Sequence, residues 1–195
     1  MLLRCSLVRM RVTEQAHEAV RGAVYAGDIV IDATAGNGHD TLFLARLVGP
    51  EGRVIAFDIQ EAALAATRVR LAEGKIAEES VLLLRESHAG LDRHVTGPVG
   101  AVMFNLGYLP GSDRTCTTTP GETVRALGAA WKALRAEGIL SVVCYRGHPG
   151  GADETGAVIR FAQSRKADGA SLTISGCEEL HGGPCLVVLR KHERP

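Results

Sequence analysis

Apolar, β-branched segments alternate with segments of helical character along this chain. The seven strand candidates lie near residues 29–33, 53–57, 81–85, 99–104, 139–144, 171–176 and 185–190. The helix candidates are residues 13–25, 39–48, 61–73, 121–136 and 152–166, with a weaker one near 88–94. Such an alternation is typical of a mainly parallel sheet that is covered by helices on both faces.

The segment that joins the last two strands is too short for a crossover helix. It runs from Glu178 to Pro184 and is rich in glycine, which is typical of a turn, so these two strands should pair antiparallel. We therefore predict an α/β, Rossmann-like fold with a seven-stranded, mostly parallel sheet and an antiparallel C-terminal strand. By analogy of fold, this is the architecture of class I methyltransferases that use S-adenosylmethionine.

The length of 195 residues suits one domain spanning residues 1–195, in which residues 1–11 form a flexible N-terminal arm. The 22 basic and 22 acidic residues cancel, which argues against a protein that coats nucleic acid without specificity. A local basic patch that positions a structured RNA is still compatible with this charge.

No apolar run approaches the roughly twenty residues that span a bilayer. Three arginines, Arg4, Arg9 and Arg11, interrupt the apolar N-terminus, so a signal peptide is not expected and we predict a cytoplasmic protein. The five cysteines are widely spaced and contain no C-x-x-C pair, which favours reduced, mostly buried thiols over a disulfide framework or a zinc site. We expect no metal.

A glycine turn between two acids marks a nucleoside-cofactor site. Asp32 ends the first strand, Gly36 and Gly38 follow, and Asp58 ends the second strand. In a parallel βαβ unit, such glycines let the backbone approach a ligand, and the second acid can accept both hydroxyls of a ribose.

The same loop discriminates between cofactors. Thr41 occupies the place of the third glycine of a dinucleotide fingerprint, and Asp40 puts a negative charge where a pyrophosphate would lie. Both features disfavour NAD, whereas the cationic sulfonium and α-ammonium of S-adenosylmethionine suit Asp32 and Asp40. Taken alone, Asp40 is better explained as an acid that stabilises the N-terminus of a helix, and the cofactor interpretation depends on Asp32, the two glycines and Asp58 beside it.

We predict S-adenosylmethionine as the cofactor. The predicted cofactor-binding residues are Asp32, Gly36, Asn37, Gly38, Asp40, Thr41, Asp58, Ile59, Gln60, Ser87, His88 and Asn105. Ser87 and His88 are included because they follow the third strand, beside the expected adenine position.

The fourth strand ends in Asn105, Leu106, Gly107 and Tyr108, where an open α/β sheet forms its ligand crevice. In amino-methyltransferases of this fold, an Asn-Pro-Pro-Tyr motif at this place directs an amine at the methyl group, and the present residues look like a variant of it. A strand-end Asn that caps a turn is the alternative. We predict Asn105 and Tyr108 as catalytic residues.

Two further loops on the same rim supply candidate substrate contacts. One contains Arg114, and the other runs from Tyr145 through Arg146 to His148 and is rich in glycine, which suits a flipped base. The predicted substrate-binding residues are Leu106, Gly107, Arg114, Tyr145 and His148.

Together these segments resemble the YtqB/MnmM family, which is labelled as rRNA methylases. The matching motifs are residues 32–41, 56–60, 87–88, 105–113, 117–118 and 145–149. The resemblance implies methylation of the 5-aminomethyl group of a modified wobble uridine, 5-aminomethyl-2-thiouridine, in the anticodon arm of tRNA. The chain departs from the family in the segment from Leu180 to Cys185, where members often carry Asn, Gln and a Pro-Pro.

Other functions stay open on the sequence. A methyltransferase acting on rRNA or on a small molecule would use the same fold, and a non-catalytic nucleotide-binding module could keep the same loop. A homodimer is attractive, because a neutral domain of this size has limited surface with which to grip an anticodon arm.

Overall fold

The computed structural model describes residues 10–107, 118–177 and 183–193. Its seven strands form one sheet in the order β3-β2-β1-β4-β5-β7-β6. Strands β1 to β5 are parallel to one another, while β7 is antiparallel to both β5 and β6. The predicted α/β architecture with an antiparallel C-terminal strand is therefore confirmed.

The strands and helices follow the predicted alternation. The strands are β1 Ile29–Asp32, β2 Arg53–Asp58, β3 Val81–Arg85, β4 Val99–Leu106, β5 Leu134–Cys144, β6 Ser171–Ser175 and β7 Cys185–Arg190. The α-helices are α1 Val12–Arg21, α2 His39–Val48, α3 Glu61–Glu73, α4 Pro120–Ala133 and α5 Gly151–Ala167. Two short 3-10 helices cover Glu78–Ser80 and His88–Arg93.

The largest difference from the predicted boundaries concerns β5. It begins at Leu134, whereas the sequence predicts helix to residue 136 and strand only from residue 139. Leu134 already pairs with Val99 of β4, and the pairing resumes at Ile139 with Ala101 after a register shift. The irregular stretch between these pairs includes Glu137, which has a positive φ of 59°. Such irregularities leave no apolar alternation to detect in the sequence.

Two apolar layers cover the two faces of the sheet. Alternate strand residues point to opposite faces, so Ile31 and Val102 pack with α4 and α5, whereas Val30 and Ala101 pack with α1 and α2. Because both faces are covered, the central strands are almost continuously apolar, as expected for a parallel sheet.

The parallel strands all end at one edge of the sheet. The strand order reverses between β1 and β4, which is the switch point where ligands bind in open α/β sheets. The backbone N–H of Ala33 donates to the carbonyl of Met103 over 2.8 Å, so the two strands remain joined as they leave the sheet. The ends of β1 and β4 therefore face each other across this point.

The C-terminal hairpin contains a pairing that the sequence analysis did not anticipate. Cys177 and Cys185 form a disulfide, with their Cα atoms 4.7 Å apart, whereas Cys144 is a buried free thiol. The prediction of reduced thiols is wrong for this pair. The two cysteines are eight residues apart in the sequence, and only the antiparallel pairing of β6 and β7 brings them side by side. Their spacing alone does not predict this contact.

Helix α4 offers a direct test of the core. Leu127 is fully buried, whereas Val124 on the same helix is 39% exposed. Leu127→Ala should lower the free energy of unfolding by about 2–5 kcal/mol, because it leaves a cavity. Val124→Ala should change it by less than about 0.5 kcal/mol. Urea unfolding followed by circular dichroism measures both, and equal effects would contradict the packing of α4 on the sheet.

Candidate active site

Asp32 ends β1 and is completely buried. One carboxylate oxygen accepts from the hydroxyl of Thr41 over 2.6 Å, and the other accepts from the backbone N–H of Thr34 over 3.1 Å. Both partners are neutral. Burial raises the pKa of Asp32 to about 7, and the nearby charge of Asp40 adds to the shift. An acid in this situation favours a cationic ligand beside it.

Helix α3 holds the glycine loop, residues 36–38, through two hydrogen bonds. The hydroxyl of Thr67 donates to the carbonyl of Gly36 over 3.2 Å, and Nε of Arg70 donates to the carbonyl of Asn37 over 2.5 Å. Gly38 has a φ of 76°, and a Cβ there would lie 2.8 Å from the Cα of Thr67. The loop therefore needs glycine at this position both for its conformation and for its close approach to α3.

Asp58 at the end of β2 is bound by two backbone N–H groups. Gly36 donates to one carboxylate oxygen and Gln60 to the other, each over 2.9 Å. These contacts fix the plane of the carboxylate, and its remaining lone pairs can accept further hydrogen bonds. Ile59 lies beside it with 50% of its surface exposed, an apolar side chain available to a flat ring.

Asp40, in the first turn of α2, is buried and links three elements. One oxygen contacts Nε2 of His17 on α1 at 2.6 Å, and the other accepts from Nδ2 of Asn105 at the end of β4. Asp40 is therefore engaged by side chains from α1 and β4, in addition to any effect on the helix dipole.

Asn105 joins the cofactor loop to the predicted substrate strand. Its backbone N–H donates to the hydroxyl of Thr34 over 2.7 Å. Its Oδ1 is buried and has no hydrogen-bond partner within the described ranges. A buried acceptor without a partner is costly, so this oxygen fits a ligand that brings an N–H or O–H donor.

Ser87 and His88 follow β3 as predicted, but their contacts are mainly internal. Ser87 accepts from the N–H of Ala89 at the start of a 3-10 helix. His88 is buried, its Nδ1 lies 3.2 Å from the carbonyl of Ala33, and burial lowers its pKa, so its ring is neutral. Since a carbonyl only accepts, Nδ1 carries the proton. Nε2 is then an acceptor, without a partner among the described residues.

The predicted substrate side of the crevice is formed by the ends of β4 and β5. The N–H of Tyr145 donates to the carbonyl of Leu106 over 3.1 Å. At Gly107, where φ is 155°, a Cβ would lie 3.4 Å from that of Tyr145 and 3.7 Å from Nε2 of His148. The structure thus brings together Leu106, Gly107, Tyr145 and His148, whereas Tyr108 and Arg114 lie outside the described residues.

Tyr145 places an aromatic side chain on this rim. It is 39% exposed, and burial together with the charge of Asp40 raises the pKa of its hydroxyl. The phenol is therefore neutral at physiological pH. The neighbouring Arg146, expected to point to the crevice, donates instead to the carbonyls of Gly176, Cys177 and Gly183 and holds the C-terminal hairpin.

Sequence reasoning missed several residues that support this site. Glu154 on α5 is buried and accepts from the hydroxyls of Thr118 and Thr123 over 2.7 and 2.6 Å, which fixes the chain before α4. His17 and Thr34 were missed as well. His17 lies outside every motif, and Thr34 lies within the motif of residues 32–41, but its contact with Asn105 spans 71 residues and leaves no local signal.

The fold and the acids at the ends of β1 and β2 define a class I methyltransferase of the S-adenosylmethionine-dependent type. The model of the family described as "Putative rRNA methylase" matches residues 54–189, and the chain belongs to this family. The family resemblance proposed from the motifs is thereby confirmed.

Individual relatives agree with this placement. The chain is 40% identical over 162 residues to the chloroplastic tRNA (mnm(5)s(2)U34)-methyltransferase of Arabidopsis thaliana, covering 78% of this chain and 59% of that protein. It is also 29% identical to a ubiquinone/menaquinone biosynthesis C-methyltransferase of a Marinomonas species, covering 65% of this chain and 46% of that protein. The chain thus spans about half the length of these curated relatives.

Two solved structures are similar over nearly their whole length. An rRNA-methylase structure from Clostridium thermocellum is 38% identical, with a TM-score of 0.89, covering 95% of this chain and all of that one. A methyltransferase from Streptococcus mutans, solved in complex with SAH, is 33% identical with a TM-score of 0.83, covering 93% of this chain and 98% of that one.

No helix within the described residues has the length and apolar character needed to cross a membrane. They also contain no group of three or more His, Cys, Asp or Glu side chains that could hold a metal ion.

The pKa of Asp32 leads to a pH-dependent stability. The unfolded carboxyl titrates near 3.8 and the folded one near 7, so between these values the folded state keeps a proton that the unfolded chain has lost. Stability from this group is therefore lost as pH rises from about 4 to about 7. In Asp32→Asn, the amide oxygen can still accept from the N–H of Thr34, and the amide nitrogen can donate to the hydroxyl of Thr41. Because the amide does not titrate, this loss of stability should vanish.

Urea unfolding of both proteins between pH 4 and 8 measures this effect. Relative to Asp32→Asn, the wild type should become progressively less stable up to about pH 7. Titrating groups that do not interact with Asp32 contribute equally to both proteins and cancel in the difference. A difference that does not vary with pH would contradict a carboxyl titrating in this range.

Proposed function

We propose that the protein transfers a methyl group from S-adenosylmethionine to the 5-aminomethyl group of (2-thio)uridine at the wobble position of tRNA. The product is the 5-methylaminomethyl form. The observation that carries this proposal is the buried Oδ1 of Asn105, an unpartnered acceptor held beside the acidic cofactor loop. An amine nucleophile brings the N–H donor that this oxygen lacks.

The residues of the loop fit the proposed cofactor. Asp58, held in one plane by two N–H groups, would accept the ribose hydroxyls, with Ile59 and Gln60 beside the sugar and adenine. Asp32 and Asp40 place two buried acids next to each other, which is costly unless a cation is bound nearby.

The remaining loop residues complete the proposed cofactor site. They are Gly36, Asn37, Gly38 and Thr41, with Ser87 and His88 on the adenine side. The SAH bound in the Streptococcus mutans relative supports this assignment. When bound, S-adenosylmethionine supplies a methyl carbon that is electrophilic because its sulfur is a cation.

The protein must also make the amine nucleophilic. An alkylammonium with a pKa near 10 costs roughly 4 kcal/mol to deprotonate at pH 7. Removing it from water favours the neutral amine, and the carbonyl of Asn105 can accept one N–H and so aim the lone pair. The proton that leaves the amine passes to water or to His148 on the rim.

A flipped base fits the rim of the crevice. Tyr145 presents a neutral, partly exposed aromatic ring next to Leu106 and Gly107, and we assign base stacking to it together with Tyr108. We assign Arg114 a contact to the RNA backbone. The tRNA substrate itself is supported by the Arabidopsis relative, whose name specifies the modified wobble uridine.

An rRNA methyltransferase is the second candidate, since the family description names rRNA. The same fold would also serve a small-molecule methyltransferase, as the Marinomonas relative illustrates. We further propose a cytoplasmic location and a homodimer that widens the surface presented to the anticodon arm.

An in vitro assay separates these candidates. The protein is incubated with S-adenosylmethionine and either tRNA that carries 5-aminomethyl-2-thiouridine or ribosomal RNA, and the digested nucleosides are analysed by mass spectrometry. Wild type should convert the wobble nucleoside of the tRNA and leave the rRNA unchanged. Asn105→Ala should lower the single-turnover rate by at least about tenfold, because the amine nitrogen gains positive charge as the N–C bond forms and a hydrogen bond to a charged group is worth roughly 1.5–3 kcal/mol.

Gln163→Ala removes an exposed amide on α5, remote from the crevice, and serves as the matched control. It should retain wild-type activity. Methylation of the rRNA alone would overturn the tRNA assignment, and full activity of Asn105→Ala on tRNA would remove Asn105 from the mechanism.

A further inference from the structure

His17 is a side chain outside every motif that contacts the proposed site. It lies on α1, before the first strand, yet its Nε2 is 2.6 Å from Oδ1 of Asp40, 23 residues later. Its side chain is 25% exposed, so it lies between the buried acid and the solvent.

The ring of His17 is held in a defined orientation. It stacks on Phe43 of α2, with the ring centroids 3.9 Å apart and the planes within 2° of parallel. Phe43 is one helical turn beyond the acid, so the stack directs Nε2 at the carboxylate. The contact therefore combines a hydrogen bond with a packed aromatic pair.

The other oxygen of Asp40 determines which way the Asn105 amide faces. A carboxylate only accepts hydrogen bonds, so the amide must present its Nδ2 to Asp40, as it does in the structure. Oδ1 is then directed away from the acid and is left buried without a partner in the described part of the chain. A rotated amide would instead place Oδ1 against the carboxylate, which is repulsive.

We propose that His17 is a positioning residue for methyl transfer: it fixes Asp40, which in turn holds the Asn105 amide with Oδ1 available to the amine. This inference rests on the proposed function, because it assigns Asn105 the contact with the nucleophile. His17 itself touches neither the substrate nor the cofactor. It acts through the carboxylate that it shares with Asn105.

Two substitutions separate the hydrogen bond of His17 from its stacking. His17→Phe keeps an aromatic ring over Phe43 but removes the donor to Asp40. His17→Gln removes the ring and keeps a side-chain N–H at similar reach. His192→Ala is the control, because this histidine contacts Ser171 and Glu137 near the opposite end of the sheet.

Three quantities are measured for each protein: the single-turnover rate with aminomethyl tRNA, the Kd for S-adenosylhomocysteine by calorimetry, and the Kd for the tRNA. We expect His17→Phe to lower the rate by about tenfold or more, the loss of one hydrogen bond to a charged group. Both Kd values should stay within about twofold of wild type, whereas His17→Gln should recover most of the rate. His192→Ala should match wild type.

The side-chain amide resonances of Asn105 provide a readout that does not depend on turnover. In the complex with S-adenosylhomocysteine, nuclear magnetic resonance should show them shifted in His17→Phe and restored in His17→Gln, because the amide is held through Asp40. Unchanged resonances in His17→Phe would overturn the proposed coupling, even if the wild type proved inactive on tRNA.

Other outcomes are also decisive. A wild type that is inactive on aminomethyl tRNA defeats the proposed substrate, and the amide resonances then decide the coupling alone. If wild type is active, a normal rate in His17→Phe overturns the inference. So does a rate loss matched by weaker S-adenosylhomocysteine binding, because His17 would then support the cofactor rather than the amine. If His17→Gln lost as much of the single-turnover rate as His17→Phe, the hydrogen bond to Asp40 would not account for the effect, and the inference would be overturned in favour of the stacking on Phe43.

Discussion

The carboxylate of Asp40 is the interaction on which the rest of the site depends. It lies at the start of α2 and contacts His17 from α1 and Asn105 from β4. Three elements that are separated along the chain are therefore joined by one side chain at the switch point of the sheet. The cofactor loop and the substrate strand cannot move independently while this contact persists.

The same arrangement carries an electrostatic cost. Asp32 and Asp40 are both buried, and Asp32 is bound only by neutral groups in the described structure. Its pKa of about 7 reflects that cost, since burial and the neighbouring charge of Asp40 favour the protonated form. A cationic ligand would relieve the repulsion. The proposed cofactor would therefore lower the electrostatic energy of the loop, and strongly perturbed acids of this kind are characteristic of binding sites.

The parts of this molecule that follow from local patterns could be predicted from the sequence. Short apolar runs predict the alternation of strands and helices. Asp32 and Asp58 are recognisable as site residues because each ends such a run. Parallel strands then bring these ends to one edge, so the crevice follows from topology.

The remaining features depend on contacts between distant residues. The pairs Thr34 with Asn105 and Glu154 with Thr123 span 71 and 31 residues, and no periodicity connects them. The disulfide of Cys177 with Cys185 depends on the register of a hairpin, which composition does not specify. The role of His17 could not be predicted from the sequence, because it depends on the packing of α1 against α2, which brings the ring to Asp40 and Phe43.

The central claim is that this site methylates an amine on the wobble uridine of tRNA. Its most direct test is to digest tRNA from a strain that lacks this gene and quantify the wobble nucleosides by mass spectrometry. The account predicts that the 5-aminomethyl nucleoside accumulates and that the methylaminomethyl form disappears, returning when the gene is restored. Normal levels of the methylaminomethyl nucleoside in the deletion strain would contradict it.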